Sequence, residues 1–401
     1  MISRARHLVA AALSSALLTL PAFTGVAHAG PAGAASAGAT SAAAASAGAT
    51  SAAAASAGAA SAGAAPTAAV FSVPLAKTAT DVQRVADYWK PDRLKKADSY
   101  SPATPGAAAS PTSSAAASAA GPAAPLAASA KRTSAAQAAA PAMPRKSKVA
   151  STMGKVYFKF AEKEYWCSAS AVAAKNRSVV STAGHCAYDP RQAKPAEYWI
   201  FVPNPGPNGE TPAGIYVGSS INMHEDWAGK GDYDYDYAFV TVHRGFTWAT
   251  KNGQYVMEDV GRLQDNVGGL GLELNKKPAT YTVAAFGYPA GAQPDGTHPY
   301  DGTKLRVCRE GPTRWTVAPS LDLQKGVQLQ ACDFSPGASG GPWVIGYDKD
   351  RRIGSLNGVN SLTWNRDAKG LYDAVSSPHF DSATGEVYRR AAAQSTPGNV
   401  T

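Results

Sequence analysis

Two residues of this chain have the type and the surroundings for covalent chemistry: Ser339, set in Gly337-Ala338-Ser339-Gly340-Gly341-Pro342, and His185, set in Ser181-Thr182-Ala183-Gly184-His185-Cys186. A serine hydroxyl is a poor nucleophile at neutral pH. It attacks when a base takes its proton and backbone N–H groups hold the oxyanion that the attack creates. An imidazole can be that base, provided a carboxylate orients it and stabilises its cation. Asp232, Asp234 and Asp236 lie between the two motifs, alternating with Tyr233, Tyr235 and Tyr237. Alternation puts all three carboxylates on one face of an extended segment. The other reading of such a run is a solvated acidic loop or a calcium site. His224, His243, His298 and His379 have no comparable context and read as surface or packing residues.

The order His, Asp, Ser with these flanking residues resembles the chymotrypsin-like (trypsin-type) serine peptidases, in their secreted bacterial branch. The resemblance covers roughly Tyr157 to Pro378. It implies His185 as general base and Ser339 as nucleophile. It selects Asp236 as the orienting acid, because Asp236-Tyr237-Ala238-Phe239-Val240 matches the family's Asp-x-Ala-apolar pattern, and leaves Asp234 as the fallback. Gly337 N–H and Ser339 N–H would form the oxyanion hole, where glycine suits a backbone conformation that a side chain would hinder.

Three positions bear on specificity. Asp333 lies six residues before Ser339, where trypsin-like enzymes place the acid that selects Arg or Lys, and Asn360 and Ser361 belong to the same expected pocket. Asn360 stands where glutamate-specific relatives carry a pocket histidine, so glutamate specificity is not supported. Ala338 stands where trypsin has the aspartate that receives a newly freed N-terminus, so activation by N-terminal insertion is not expected. Gly337 to Gly341 also satisfies the G-x-S-x-G elbow of α/β-hydrolases. That fold needs the order Ser, acid, His and alternating helices, which this chain lacks.

These residues need a scaffold, and the segment around them reads as all-β. Short runs such as Val156–Phe160, Ser168–Ala173, Tyr237–Val242 and Ile353–Val359 are punctuated by Pro203-Asn204-Pro205-Gly206 and Pro294-Asp295-Gly296. Such a pattern favours a sandwich or barrel. The resemblance implies two packed antiparallel six-stranded β-barrels, with the active site in the inter-barrel cleft. The four cysteines, Cys167, Cys186, Cys308 and Cys332, suggest two disulfides of open connectivity. The resemblance implies Cys167–Cys186, and with it Cys308–Cys332. No C-x-x-C pair or suitably spaced histidines accompany them, so neither a metal nor another cofactor is expected.

The N-terminal third has a different composition. Residues 1–29 carry Arg4 and Arg6, an apolar stretch from Leu8 to Leu20 and Ala27-His28-Ala29, the pattern of a secretory signal peptide. The stretch is too short for a stable membrane span, and no later segment supplies one. Residues 30–65 are an Ala/Ser/Gly spacer whose small side chains cannot offset chain entropy. Residues 66–100 hold an island of larger side chains in which Val82, Val85 and Trp89 predict one short amphipathic helix ended by Pro91. This island reads as a propeptide, or else as an ordinary surface helix on a linker, with an Ala/Ser/Pro-rich linker over 101–148 that includes the basic stretch Arg145-Lys146-Ser147-Lys148 as a candidate processing site. The peptidase domain is expected over 149–390 and a flexible tail over 391–401.

The formal net charge of +9 is concentrated in the tail: residues 1–145 hold 11 Lys+Arg against 4 Asp+Glu, leaving 27 against 25 for the remainder. A balanced catalytic region lacks the basic face that phosphate binding requires, which argues against nucleic acid. The expectation is a secreted, extracellular, monomeric endopeptidase acting on protein or peptide substrates. The alternative is a catalytically silent binding module that keeps the peptidase fold.

Overall fold

The computed structural model describes residues 69–102, 152–366 and 370–395. The expected signal peptide, the spacer, nearly all of the linker and its basic site at Arg145–Lys148 lie outside these residues. The strands that position the site are β1 (Val70–Pro74), β2 (Asp98–Ser99), β3 (Met153–Phe160), β4 (Lys163–Val172), β5 (Val179–Thr182), β6 (Glu197–Pro203), β7 (Tyr216–His224) and β8 (Ala238–Val242). They are followed by β9 (Thr282–Gly287), β10 (Arg306–Ala318), β11 (Leu323–Gln330), β12 (Pro342–Asp348), β13 (Ile353–Val359), β14 (Leu362–Trp364) and β15 (Ala374–Pro378).

The first sheet closes. In the order β7, β8, β5, β4, β3, β6, six antiparallel strands form a barrel sealed by the pairs Ile200↔Val217 and Phe201↔Tyr216. Inward positions alternate along the strands, and Val156, Phe158, Cys167, Ala169, Val180, Phe201, Ile221 and Phe239 are buried in one core. In the second sheet β13, β12, β9, β10, β11 and β15 follow one another antiparallel, with Gly271–Leu272 added parallel to β13 and β14 added to β15. Val283, Ala285, Val327, Leu329, Phe334, Trp343 and Val375 pack its core. Six of its eight strands, from β13 to β15, make up the second antiparallel unit of the expected fold. Its first and last strands, β13 and β15, meet through a side chain, Val359 N–H donating to Ser377 Oγ at 3.0 Å. The structure has both disulfides, Cys167–Cys186 and Cys308–Cys332.

The expected helix in the N-terminal island is α1 (Ala79–Tyr88), begun by a capping box between Thr78 and Asp81. Its buried face, Val82, Val85 and Ala86, joins Trp89 and Leu94 against Tyr157, Ile200, Val202 and Val217 on the outside of the barrel. Burial of each larger apolar side chain is worth about 1.5–3 kcal/mol, enough to hold a short helix that would be marginal alone. The domain extends past residue 390. The helix Ser382–Ala393 is capped by Asp381, and Val387 and Ala391 are buried beneath it. Ala391 O accepts from Thr241 Oγ1 at 3.1 Å and from Asn176 Nδ2 at 2.8 Å, and Gln394 Oε1 accepts from Thr241 Oγ1 at 2.8 Å. The expected tail from 391 is therefore packed chain through Gln394.

Two histidines set aside as packing residues are structural. His243 is buried, with Nε2 2.9 Å from Ala76 O, and so ties the N-terminal segment to the barrel. His224 stacks on Tyr235 with ring centroids 3.7 Å apart. Burial is the leading cause that holds both imidazoles below the ordinary histidine pKa. The unfolded chain then binds more protons as pH falls through about 6.5, so stability is lost on acidification. The thermal midpoint is expected to fall between pH 7 and 5, and His243→Gln to flatten that slope, as read by calorimetry across this range.

Candidate active site

His185 leaves the barrel in the one-turn helix Gly184–Cys186 that follows β5, and the disulfide from Cys186 to Cys167 on β4 pins this turn. Asp236 ends the turn Tyr233–Tyr235 just before β8. β8 pairs with β5, Ala238 opposite Thr182, which brings the two side chains together. Asp236 is fully buried. Its Oδ1 accepts from His185 backbone N–H at 2.8 Å, and its Oδ2 lies 2.8 Å from His185 Nδ1 and accepts from Ser361 Oγ at 2.5 Å. The carboxylate therefore fixes both the ring and the peptide of His185. It favours the tautomer with hydrogen on Nδ1, which leaves Nε2 as an acceptor. That Nε2 is buried and makes no hydrogen bond among the described residues.

The other two acids do different work. Asp234 Oδ1 accepts from Gln324 N at 3.0 Å and Lys325 N at 2.6 Å, joining the first barrel to β11. Asp232 caps its own turn through Asp234 N–H, and burial pushes its carboxyl up to about 6. The fallback Asp234 does not meet His185.

Ser339 sits in the loop between β11 and β12, on the second sheet. Its carbonyl accepts from Ser168 N–H at 2.8 Å, and the ideal Cβ position at Gly340 is 2.8 Å from Ala183 N, so the loop lies against the turn that carries His185. Gly337 has φ 98°, and an added Cβ would meet Trp166 at 2.6 Å and Tyr288 O at 2.7 Å. Its carbonyl accepts from Ser168 Oγ at 2.8 Å. The N–H groups of Gly337 and Ser339 have no acceptor among the described residues, which suits donors reserved for a ligand oxygen. Behind Trp166, Lys155 Nζ stands 3.5 Å from the ring. Burial pushes this ammonium down to about 7, while the ring face works the other way by attracting the cation.

A cavity of about 180 Å³ beside Ser339 is lined by Ser335, Pro336, Ser361, Leu362, Thr363, Trp364 and Tyr372, among others. None of those seven side chains is charged. Asp333, expected at its base, is exposed, accepts a hydrogen bond from Tyr300 OH at 2.7 Å and lines a separate groove with Cys308 and Glu310. Asp333 is flanked by buried Cys332 and Phe334, which turn inward and leave its carboxylate facing solvent. Gln293, buried and neutral, instead bridges Asp333 O at 2.7 Å and Tyr372 N at 2.9 Å. Asn360 is a strut rather than a pocket residue. Its Nδ2 donates to Phe286 O and Ala338 O, its Oδ1 accepts from Trp343 Nε1, and its backbone bonds Gly340 and Gly341. Cys167, His185 and Cys186 converge within 4.8 Å, but both sulfurs are spent in a disulfide and offer no thiolate to a metal.

No protein-family model and no curated protein matches the chain. Solved structures do. A thermostable serine protease, AL20, from an extremophilic microorganism is 27% identical, covering 61% of this chain and 99% of that one, with a TM-score of 0.49. Protease Anisep from Arthrobacter nicotinovorans is 29% identical over 61% of this chain and 96% of that one, with a TM-score of 0.48. Both similar structures are proteases.

Sequence reasoning missed the supports. Ser168 braces both Gly337 and Ser339 and also takes Tyr288 N–H on its hydroxyl at 2.8 Å. Its one signal is adjacency to Cys167. Tyr100, Ser101 and Pro102 also border the site, Tyr100 with its ring centroid 6.1 Å from that of His185. Nothing in their local sequence marks them.

Proposed function

We propose that the chain is a secreted serine endopeptidase of the chymotrypsin-like kind, hydrolysing peptide bonds through an acyl-enzyme without a cofactor. The observation that carries this reading is the buried Asp236 carboxylate holding His185 by ring and backbone, beside a Ser339 loop with two N–H donors that no described residue engages. In the proposed reaction His185 Nε2 takes the Ser339 proton as Oγ attacks the substrate carbonyl, and Gly337 and Ser339 N–H groups receive the oxyanion. The proton then passes from His185 to the leaving amine, and water repeats the sequence on the ester. The two disulfides fit an oxidising compartment, which supports export. Among the described residues no helix is long and apolar enough to cross a membrane. With Asp333 outside the Ser339 cavity, the preferred substrate side chain is uncharged rather than Arg or Lys.

The test is covalent labelling by a fluorophosphonate, read by intact mass. One adduct on the wild type and none on Ser339→Ala is the expected result, a loss of labelling approaching completeness because no other described residue shares the His185 arrangement. A wild type that stays unlabelled, both as the full chain and with its N-terminal segment loosened, would leave the binding-module reading in its place.

A further inference from the structure

Residues 70–102 are not a free extension of the domain but a continuous strap that ends in its cleft. β1 lies antiparallel along β7 from Val70↔His224 to Pro74↔Ser220, taking the part of that edge that β6 leaves unpaired. The strand is prolonged by Leu75 N–H to Ser219 O at 2.9 Å and Ala76 N–H to Gly218 O at 3.2 Å. Trp89, fully buried, donates its indole N–H to Tyr198 O at 2.5 Å. Arg93 and Tyr88 both reach Glu164, at 2.7 and 2.8 Å, at the start of β4.

From this anchor the chain enters the site. β2 pairs with β4, Asp98 opposite Tyr165 and Ser99 opposite Trp166, and Tyr100 N–H donates to Trp166 O at 2.9 Å. The Tyr100 ring packs between Phe158, at 5.4 Å, Tyr165, at 5.0 Å, and the His185 imidazole. Tyr100 and Pro102 line the cavity that contains His185, and Ser101 and Pro102 line the cavity that contains Ser339. The strap therefore occupies space on both sides of the two candidate catalytic groups. It does so without presenting a bond for cleavage: Gly337 N–H and Ser339 N–H donate to no carbonyl of its described residues. Its pairing with β4 is parallel.

Resting on the peptidase reading, we propose that residues 98–102 are a built-in plug of the active-site cleft, held there by the 70–94 anchor, and that the enzyme works when this strap is displaced. A segment tethered in the same chain faces no translational cost on docking, so a short stretch of strand and one aromatic ring suffice to exclude substrate. Labelling of Ser339 then scales with the fraction of molecules whose cleft is open.

The full chain is compared with Tyr100→Ala, which removes the ring beside His185, and with Trp89→Ala, which loosens the anchor far from the reacting groups. Tyr100→Phe keeps the ring and serves as the control for folding. The second-order rate of fluorophosphonate labelling is expected to rise about tenfold or more in both alanine variants, and to stay at the wild-type value in Tyr100→Phe. Equal rates in the wild type and both alanine variants would overturn the plug while leaving the peptidase intact. No labelling in any of them would overturn the peptidase reading and the plug with it.

Discussion

Replacing Asp236 with asparagine is expected to lower kcat for a peptide substrate by roughly 10⁴-fold, with little change in the thermal midpoint. The substitution preserves shape, and the surroundings can accommodate it. Asparagine Oδ1 would still accept His185 backbone N–H, as Asp236 Oδ1 does at 2.8 Å. Its NH₂ would then face His185 Nδ1 and Ser361 Oγ, where the Asp236 oxygen now sits at 2.8 and 2.5 Å. The Ser361 hydroxyl can rotate from donor to acceptor. The imidazole can adjust only by moving its proton to Nε2, which removes the lone pair that would take the Ser339 proton. The fold survives and the base does not. Steady-state kinetics beside a melting curve checks both halves. An activity within tenfold of wild type would mean that Asp236 is a structural acid and that His185 works without it, or not at all.

Parts of this arrangement are legible in sequence because local residues determine them. The choice of Asp236 over Asp234 comes from the resemblance, through the family's Asp-x-Ala-apolar pattern, and the start of β8 gives that pattern a physical basis. Ala238 opens a buried strand paired with β5, so the residue just before it lies beside the turn of His185. Asp234, two residues earlier, is in a one-turn helix, and the strand alternation that would have placed all three acids on one face does not exist there. The α1 helix is legible for a similar reason: spacing of Val82, Val85 and Trp89 defines a face whatever it meets. What escapes is set by distant partners. The exposure of Asp333 depends on which neighbours the Cys308–Cys332 disulfide and Phe334 draw inward. The pairing of Asp98 and Ser99 with Tyr165 and Trp166 joins segments with no shared pattern, separated by the Ala/Ser/Pro-rich stretch. The strand β10 runs through Gly311 and Pro312, residues that read as a break, because Val307, Trp315 and Val317 face solvent and leave no apolar alternation to follow.

Gly340→Ala is expected to destabilise the protein by about 3–5 kcal/mol and to leave little activity in what still folds. Two separate costs meet at this residue. Its φ of 77° lies in the left-handed region, which charges an alanine about 1–2 kcal/mol. Its added Cβ would also stand 2.1 Å from Thr182 Oγ1, 2.4 Å from Ser168 O and 2.8 Å from Ala183 N. Two of these are backbone atoms of the first barrel, and Thr182 Oγ1 is itself bonded to Ser168 O at 2.9 Å. None can withdraw without disturbing β4 or the turn of His185. Relief must come from the Ser339 loop moving away, and a displacement of about 1 Å between nucleophile and base costs on the order of 100-fold in rate. Gly346→Ala separates the two costs: its φ is 60°, but no atom lies within 4 Å of the added Cβ. It carries the backbone strain alone and is expected to lose only about 1 kcal/mol with full activity. If denaturant melts place the two variants together, the contact between the Ser339 loop and the His185 turn is looser than these distances require, and it is not what positions the two proposed catalytic side chains.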